Sequence, residues 1–273
     1  MGIKTPAPPP STQSLISKLA GGNASRLLEI MTQTQDLSTA EYLPWDKLRY
    51  KTPPEGLSHE EWWLGIRLGR SSMLRPLPLT TIAGSPFSYA LPDQVLRILD
   101  DVSTRASGQI AAPEEVTNPA TKNRYIVSSL IEEAITSSQL EGAVTSRRDA
   151  KRMIKNNDRP RDLSEQMILN NYHAMQHISE NQHAEFTPAA ICELHRIVTE
   201  GTLDDPRSAG NLQQNPDPAD RVKVYGDQDQ VLHSPPPVEE LPVRLQALCE
   251  FANAASRSDP YVPPVVRALG RVS

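Results

Sequence analysis

Twenty-five of the 273 residues are proline, and they fall in clusters. Proline fixes φ and has no backbone N–H, so it starts or stops helices and is costly inside them. The clusters therefore act as joints. Pro6 and Pro8 to Pro10 lie in a Pro/Ser/Thr-rich stretch, and Pro53-Pro54, Pro76 with Pro78, and Pro235 to Pro237 punctuate the rest of the chain. Residues 1–23 are expected to form a disordered tail, because that composition cannot bury enough apolar surface to offset the entropy of ordering. No internal repeat is visible.

Between the joints the spacing of apolar residues is that of helices. Ala24 to Leu37 has moderate helical character and reads as a loosely attached helix. Ser58 is an N-cap residue with Glu60 and Glu61 in the first turn, and the helix Ser58 to Leu68 buries Trp62, Trp63 and Ile66. Leu77 to Leu91 reads as irregular with short extended pieces, Gly84 and Pro86 at the turn. Asp93 to Ala106 is helical and closes near Gly108. From Asn123, Ile126, Leu130, Ile131, Ala134 and Ile135 mark one buried helix face, broken at Gly142. A basic helix over Ser146 to Asn156 comes next, then Leu163 to Glu180, then a helix opened by Thr187-Pro188 and closed at Gly201.

One segment has the opposite period. Arg221 to Tyr225 alternates apolar and polar, Gly226 to Asp229 is turn chemistry, and Gln230 to His233 returns, which predicts a single β-hairpin in an otherwise helical chain. Leu241, Leu245, Leu248 and Ala252 define another amphipathic helix, and a last one begins near Pro263-Pro264. The fold class is mainly α.

Composition narrows the function classes. The net charge of −5 gives no global attraction for nucleic acid. No apolar run approaches the ~20 residues of a membrane span, and no secretory signal opens the chain. Cys192 and Cys249 offer no disulfide framework, which fits a reducing compartment. A cytoplasmic bacterial protein, with neither nucleic acid nor membrane as partner, is expected.

Several segments, in order, resemble the Fic (filamentation induced by cAMP) family. Ser137, Glu141 and Gly142 fill the family's inhibitory pattern: Ser or Thr, three residues, Glu, then Gly or Asn. Leu194 to Gly201 looks like the helix before the family's flap, and Val231 to Pro237 with Glu240-Leu-Pro looks like the flap's second strand and the next helix. Pro264 to Ala268 resembles the start of the helix that leads into the active site. Trp45-Asp46, and Gly56 through Trp63, look like the region that precedes many bacterial Fic domains.

The resemblance implies a Fic-type helical core with one β-hairpin flap and an N-terminal helical extension. It divides the chain into the tail (1–23), a Fic-associated region (24–120) and a partial Fic domain (121–273). Fic enzymes move AMP from ATP to Ser, Thr or Tyr hydroxyls of a protein substrate, with Mg²⁺ as cofactor. Their motif, His-Pro-Phe-x-Asp-Gly-Asn-Gly-Arg, supplies a general base, a metal ligand, an anion nest and a γ-phosphate clamp. The 273 residues do not contain it. After Ala268 the sequence reads Leu-Gly-Arg-Val-Ser273, expected to result from a frameshift or truncation before the motif. The chain is therefore expected to be inactive alone, to bind neither ATP nor Mg²⁺, and to have no catalytic residues.

Within the resemblance, Glu141 takes the inhibitory role beside the γ-phosphate site. Val222, Lys223, Val224, Tyr225, Val231, Leu232 and His233 form the flap that pairs main chain to main chain with a target segment. The alternatives are a solvated carboxylate at a helix end and a plain structural hairpin. Gly210-Asn211 departs from the family's usual Gly-Arg. His233 lies at the flap's end and is not the missing base. A non-catalytic binding or regulatory fragment is the alternative function, and helix faces left uncovered predict a homo-oligomer.

Two rival chemistries compete with this reading. His173 with His177, and Cys192 with His195, have spacings compatible with zinc, but the metalloprotease His-Glu-x-x-His is not present. Arg147, Arg148, Lys151, Arg152 and Lys155 make a basic stripe without interleaved aromatics, which reads as a solvated face.

Overall fold

The computed structural model describes residues 7–20, 24–39, 43–106, 119–226, 229–253 and 261–267. The chain divides into two compact units, residues 1–110 with 223–234 and residues 111–222 with 235–273. It is mainly helical, and no helix among the described residues is long and apolar enough to cross a membrane.

The first unit is organised by α4 (His59–Ser71). Ser58 caps it: the Ser58 hydroxyl accepts from the Glu61 N–H, and the Glu61 carboxylate accepts from the Ser58 N–H, a reciprocal capping box. Trp62, Trp63 and Ile66 on α4 bury with Leu48 of α3 (Trp45–Leu48), and Trp45 meets Trp63 edge to face at 6.0 Å. The helix α2 (Ala24–Thr39) packs along α4. Ile30 and Thr34 of α2 are fully buried, and a Cβ added to Gly65 of α4 would lie 2.7 Å from Thr34 Cγ2, so only glycine allows this approach. Arg26 of α2 donates to both Glu61 carboxylate oxygens, at 2.8 and 3.0 Å, and to the Gly56 carbonyl at 2.6 Å. The Arg26 guanidinium holds the Glu61 carboxyl below the usual carboxylate range.

These contacts correct three expectations. The helix over 24–39 is not loosely attached, because Thr34 seats over Gly65. Part of the expected tail is ordered: α1 (Thr12–Ala20) buries Leu15 and packs on α4 and α2. The short extended pieces expected around the Gly84 turn pair into a second hairpin, β1 (Arg75–Thr80) antiparallel to β2 (Pro86–Tyr89), so the hairpin at 224–233 is not single. Its turn is closed by Gly84 N–H to the Thr81 carbonyl, at 3.0 Å. After it, α5 (Asp93–Ala106) matches its expected bounds, while its close at Gly108 lies outside the described residues.

The second unit packs α6 (Pro119–Leu140), α7 (Arg147–Asn156) and α8 (Leu163–Glu180) around Ile131, Ile135, Ala150, Met153 and Ile168. The expected face of α6 is buried only in its second half. Ile131, Ala134 and Ile135 are covered, whereas Ile126 is exposed. Side chains cap the starts of α7, α8 and the helix after them: Ser146 accepts from the Asp149 N–H, Asp162 from the Glu165 N–H, and Thr187 from the Ala190 N–H. The buried Asn170 of α8 ties down the end of α9 (Pro188–Thr199). Its Nδ2 donates to the carbonyls of Val198 (3.0 Å) and Glu200 (2.7 Å), which are left without intrahelical partners. Asn253, at the end of α10 (Leu241–Asn253), exchanges two hydrogen bonds with the Phe186 backbone. A helical stretch over 264–267 comes last, with Val262 and Val266 buried; Ala268 to Ser273 lie outside the described residues.

Candidate functional site

The Ser137–Glu141–Gly142 segment is the end of α6. The Gly142 N–H donates to the Gln139 carbonyl (3.3 Å) and the Ala143 N–H to the Ser138 carbonyl (2.9 Å), with Gly142 at φ +103°. That is a Schellman stop, in which a left-handed residue satisfies the helix's last carbonyls and the next residue folds back apolar. Ala143 is buried accordingly. Gly142 thus has a structural duty, and a pattern that accepts Gly or Asn at this slot selects the two residues most at ease in the left-handed region.

Glu141 has no such duty. Its carboxylate is exposed and makes no side-chain hydrogen bond or ion pair among the described residues; only its N–H is used, donating to the Ser137 carbonyl at 3.2 Å. It also stands at the negative pole of α6, whose last turn carries no basic residue. A carboxylate there opposes the helix dipole. Ser137 is half-buried.

The ground beneath this helix end is fixed by residues that spacing did not single out. The fully buried Ser138 Oγ accepts from Asn171 Nδ2 of α8 at 2.7 Å, and Gln139 Nε2 donates to the Thr145 carbonyl at 2.9 Å. Val144 N–H donates to Ser164 Oγ at 3.2 Å. Polar residues at the apolar period of a helix are the one available sequence signal, and Ser138, four residues after Ala134, carries it.

The hairpin is shorter than expected. The ladder holds β3 (Val224–Tyr225) and β4 (Val231–His233), in the register Val224 opposite His233 and Tyr225 opposite Val231. Val222 and Lys223 lie before the ladder, because the Val222 N–H is engaged by Gln213 Oε1 at 3.2 Å. Gly226 N–H donates to the Gln230 carbonyl at 2.8 Å, and residues 227–228 of the turn lie outside the described residues. Val224, Tyr225 and Val231 are each about half exposed, Leu232 is partly covered and His233 is exposed. Lys223 to His233 fall in the first unit, and Ser137, Glu141, Gly142 and Val222 in the second.

The loop before the hairpin is built on Gly210. Its N–H donates to His195 Nδ1 (2.9 Å), and a Cβ there would lie 2.9 Å from the Arg196 Cβ and 3.0 Å from the Cys192 carbonyl. Asn211 donates to the Arg207 carbonyl at 2.9 Å, so the departure from Gly-Arg is filled by a local loop bond.

The metal reading meets the same geometry. His195 commits its Nδ1 to Gly210, and among the described residues no group of three His, Cys, Asp or Glu could hold a metal ion. In the basic stripe, Lys151 and Arg147 face Glu132 of α6, and Arg152 pairs with Asp149 at 2.9 Å. The Lys151 ammonium holds the Glu132 carboxyl below the usual range. Much of the stripe's charge is thus neutralised on the surface.

No family model, curated protein or solved structure matches the chain.

Proposed function

We propose that these residues are the regulatory and target-docking portion of a Fic-type protein adenylyltransferase and perform no adenylyl transfer by themselves. The observation that carries this reading is Glu141, an exposed carboxylate without an ion pair among the described residues, at the helix pole that disfavours it. Stability does not account for its placement. A role toward a partner's cation does.

The hairpin supports the second half of the reading. Among the described residues its two-stranded ladder has no further strand on either outer edge, and proline is missing from β3 and β4, so an extended protein segment can add as a further strand. The Asp-Gly-Asn-Gly-Arg nest does not occur in these 273 residues, and no group of three His, Cys, Asp or Glu among the described residues could hold a metal ion. ATP and Mg²⁺ belong in this reading to the intact enzyme. The chain acts as a non-catalytic regulator of an intact relative.

Incubating the purified chain with Mg²⁺ and α-labelled ATP tests the first half. No label is expected on the chain or on added protein, and AMP transfer would overturn the reading.

A further inference from the structure

The second unit contains a cavity of about 250 Å³ where the end of α8, the loop 181–187 and the start of α9 meet. His177, Ile178 and Asn181 at the end of α8, and Ala190, Ile191 and Leu194 of α9, recur at the same i, i+1, i+4 spacing, so each helix turns one short face inward. The loop supplies the remaining wall, and its backbone is fixed. The Asn181 N–H donates to the His177 and Ile178 carbonyls (3.1 and 3.2 Å), and the Ala184 N–H donates to the Asn181 carbonyl (2.9 Å). Phe186 is tied through its N–H and its carbonyl to the Asn253 side chain, at 2.8 and 2.7 Å. The cavity is therefore formed before a ligand enters, which spares the cost of ordering a loop on binding.

The lining is apolar with one charge left over. Ile178, Phe186, Ile191 and Leu194 supply the hydrocarbon surface, and Ile178 is still 52% exposed. His177 and Glu185 are the only titratable residues among those that line it. His177 lies near Glu193 of α9, whose carboxyl is held below the usual carboxylate range first by Arg196 and also by His177. Glu185, by contrast, makes no side-chain hydrogen bond or ion pair among the described residues. The two helix ends at the rim carry opposite partial charges and offset one another, so Glu185 sets the sign of the site. The volume lies under that of drug-sized sites, about 300–1,000 Å³, so the occupant is small.

We propose that this cavity binds a small aryl-alkyl amine, whose ring lies against Ile178, Phe186, Ile191 and Leu194 and whose ammonium meets the Glu185 carboxylate. The apolar walls favour the ring, and an ammonium donates a charge-assisted hydrogen bond to a carboxylate that has no other partner. A small inorganic cation would leave the walls wet. A neutral hydrocarbon would strip water from Glu185 and give nothing back. An anion would meet a like charge. The site is independent of the reading given to Glu141 and the hairpin.

Phenethylamine is the probe. Calorimetric titration of the full chain should give saturable one-to-one binding. Phenylacetate, which reverses the charge, and ethylamine, which removes the ring, should each bind about tenfold more weakly. Glu185→Gln, at an exposed position, should weaken phenethylamine about threefold, and Glu185→Lys should invert the preference so that phenylacetate binds the tighter. Ala190→Trp, also exposed, should fill the cavity and abolish binding; circular dichroism verifies that the variants fold. Phenylacetate binding the parent as tightly as phenethylamine, folded Glu185→Lys keeping the parent's preference, folded Ala190→Trp binding like the parent, or no saturable phenethylamine signal would each overturn the proposal.

Discussion

The ends of α6 and α7 share one hydrogen-bond pattern and differ in everything around it. At α6, Gly142 is the left-handed residue and Ala143 folds back into the core. At α7, Asn157 takes φ +56°, its N–H donates to the Ile154 carbonyl (3.3 Å), and the Asp158 N–H donates to the Met153 carbonyl (2.9 Å). Asp158 stays exposed where Ala143 is buried. The α7 end carries Lys155, the charge its dipole favours, and the α6 end carries Glu141, the charge its dipole opposes. The connections beyond them differ as well. The one after α6 is locked by an apolar contact, whereas the one after α7 is locked by charge. There the buried Glu165 accepts from the Arg161 backbone N–H at 2.8 Å and from its guanidinium, which holds the carboxyl below the usual range. Two equivalent stops therefore separate what termination needs from what Glu141 adds.

The largest effect should come from exchanging the residues that follow the two stops. Ala143→Asp buries an unpaired charge and should cost about 3 kcal/mol or more in urea unfolding, while Asp158→Ala stays within about 0.5 kcal/mol. Equal effects would mean that the apolar lock does not exist.

Next comes the charged lock. Glu165→Gln removes a charge-assisted acceptor from a buried position and should cost about 1–3 kcal/mol at neutral pH. Because the folded carboxyl is depressed, its contribution is complete above the unfolded carboxylate value, about 4.3, and is lost as pH falls through the folded value. The parent's urea midpoint should therefore fall on acidification more steeply than that of Glu165→Gln. Parallel curves would contradict the charged lock.

The left-handed residues should then rank by backbone alone. No described atom lies within 4 Å of a Cβ at Gly142, so Gly142→Ala should cost about 1–2 kcal/mol through φ and nothing through crowding. Asn157→Gly should gain about 0.5 kcal/mol. Thermal melts of the two variants should move in opposite directions.

Much of the fold is legible in the sequence, for local reasons. The bounds of α5, α8 and α9 come from caps and period, and the break at Gly142 comes from glycine. The features that escape the sequence depend on distant partners. Thr34 looks like a polar interruption of a weak helix until Gly65 is placed against it. Pro76 and Pro78 argue against a strand, yet a two-stranded ladder tolerates them because both of its strands are edges. Ile126 has the right period, yet it stays exposed. At the site, Glu141 and Gly142 are visible as a pattern, but their division of labour requires the backbone bonds. Asn171 is not visible at all, since its partner Ser138 lies 33 residues earlier.

The smallest stability effect is expected at the residue that matters most. Glu141→Gln should leave folding unchanged or improve it by about 0.3 kcal/mol, so any functional loss it causes cannot be ascribed to unfolding. The direct measurement is AMP transfer by an intact Fic adenylyltransferase whose own inhibitory glutamate has been replaced, assayed with this chain added in excess. The parent chain should suppress transfer, and Glu141→Gln, equally folded, should not. Suppression of the same size by both, or by neither, would contradict a regulatory role for Glu141.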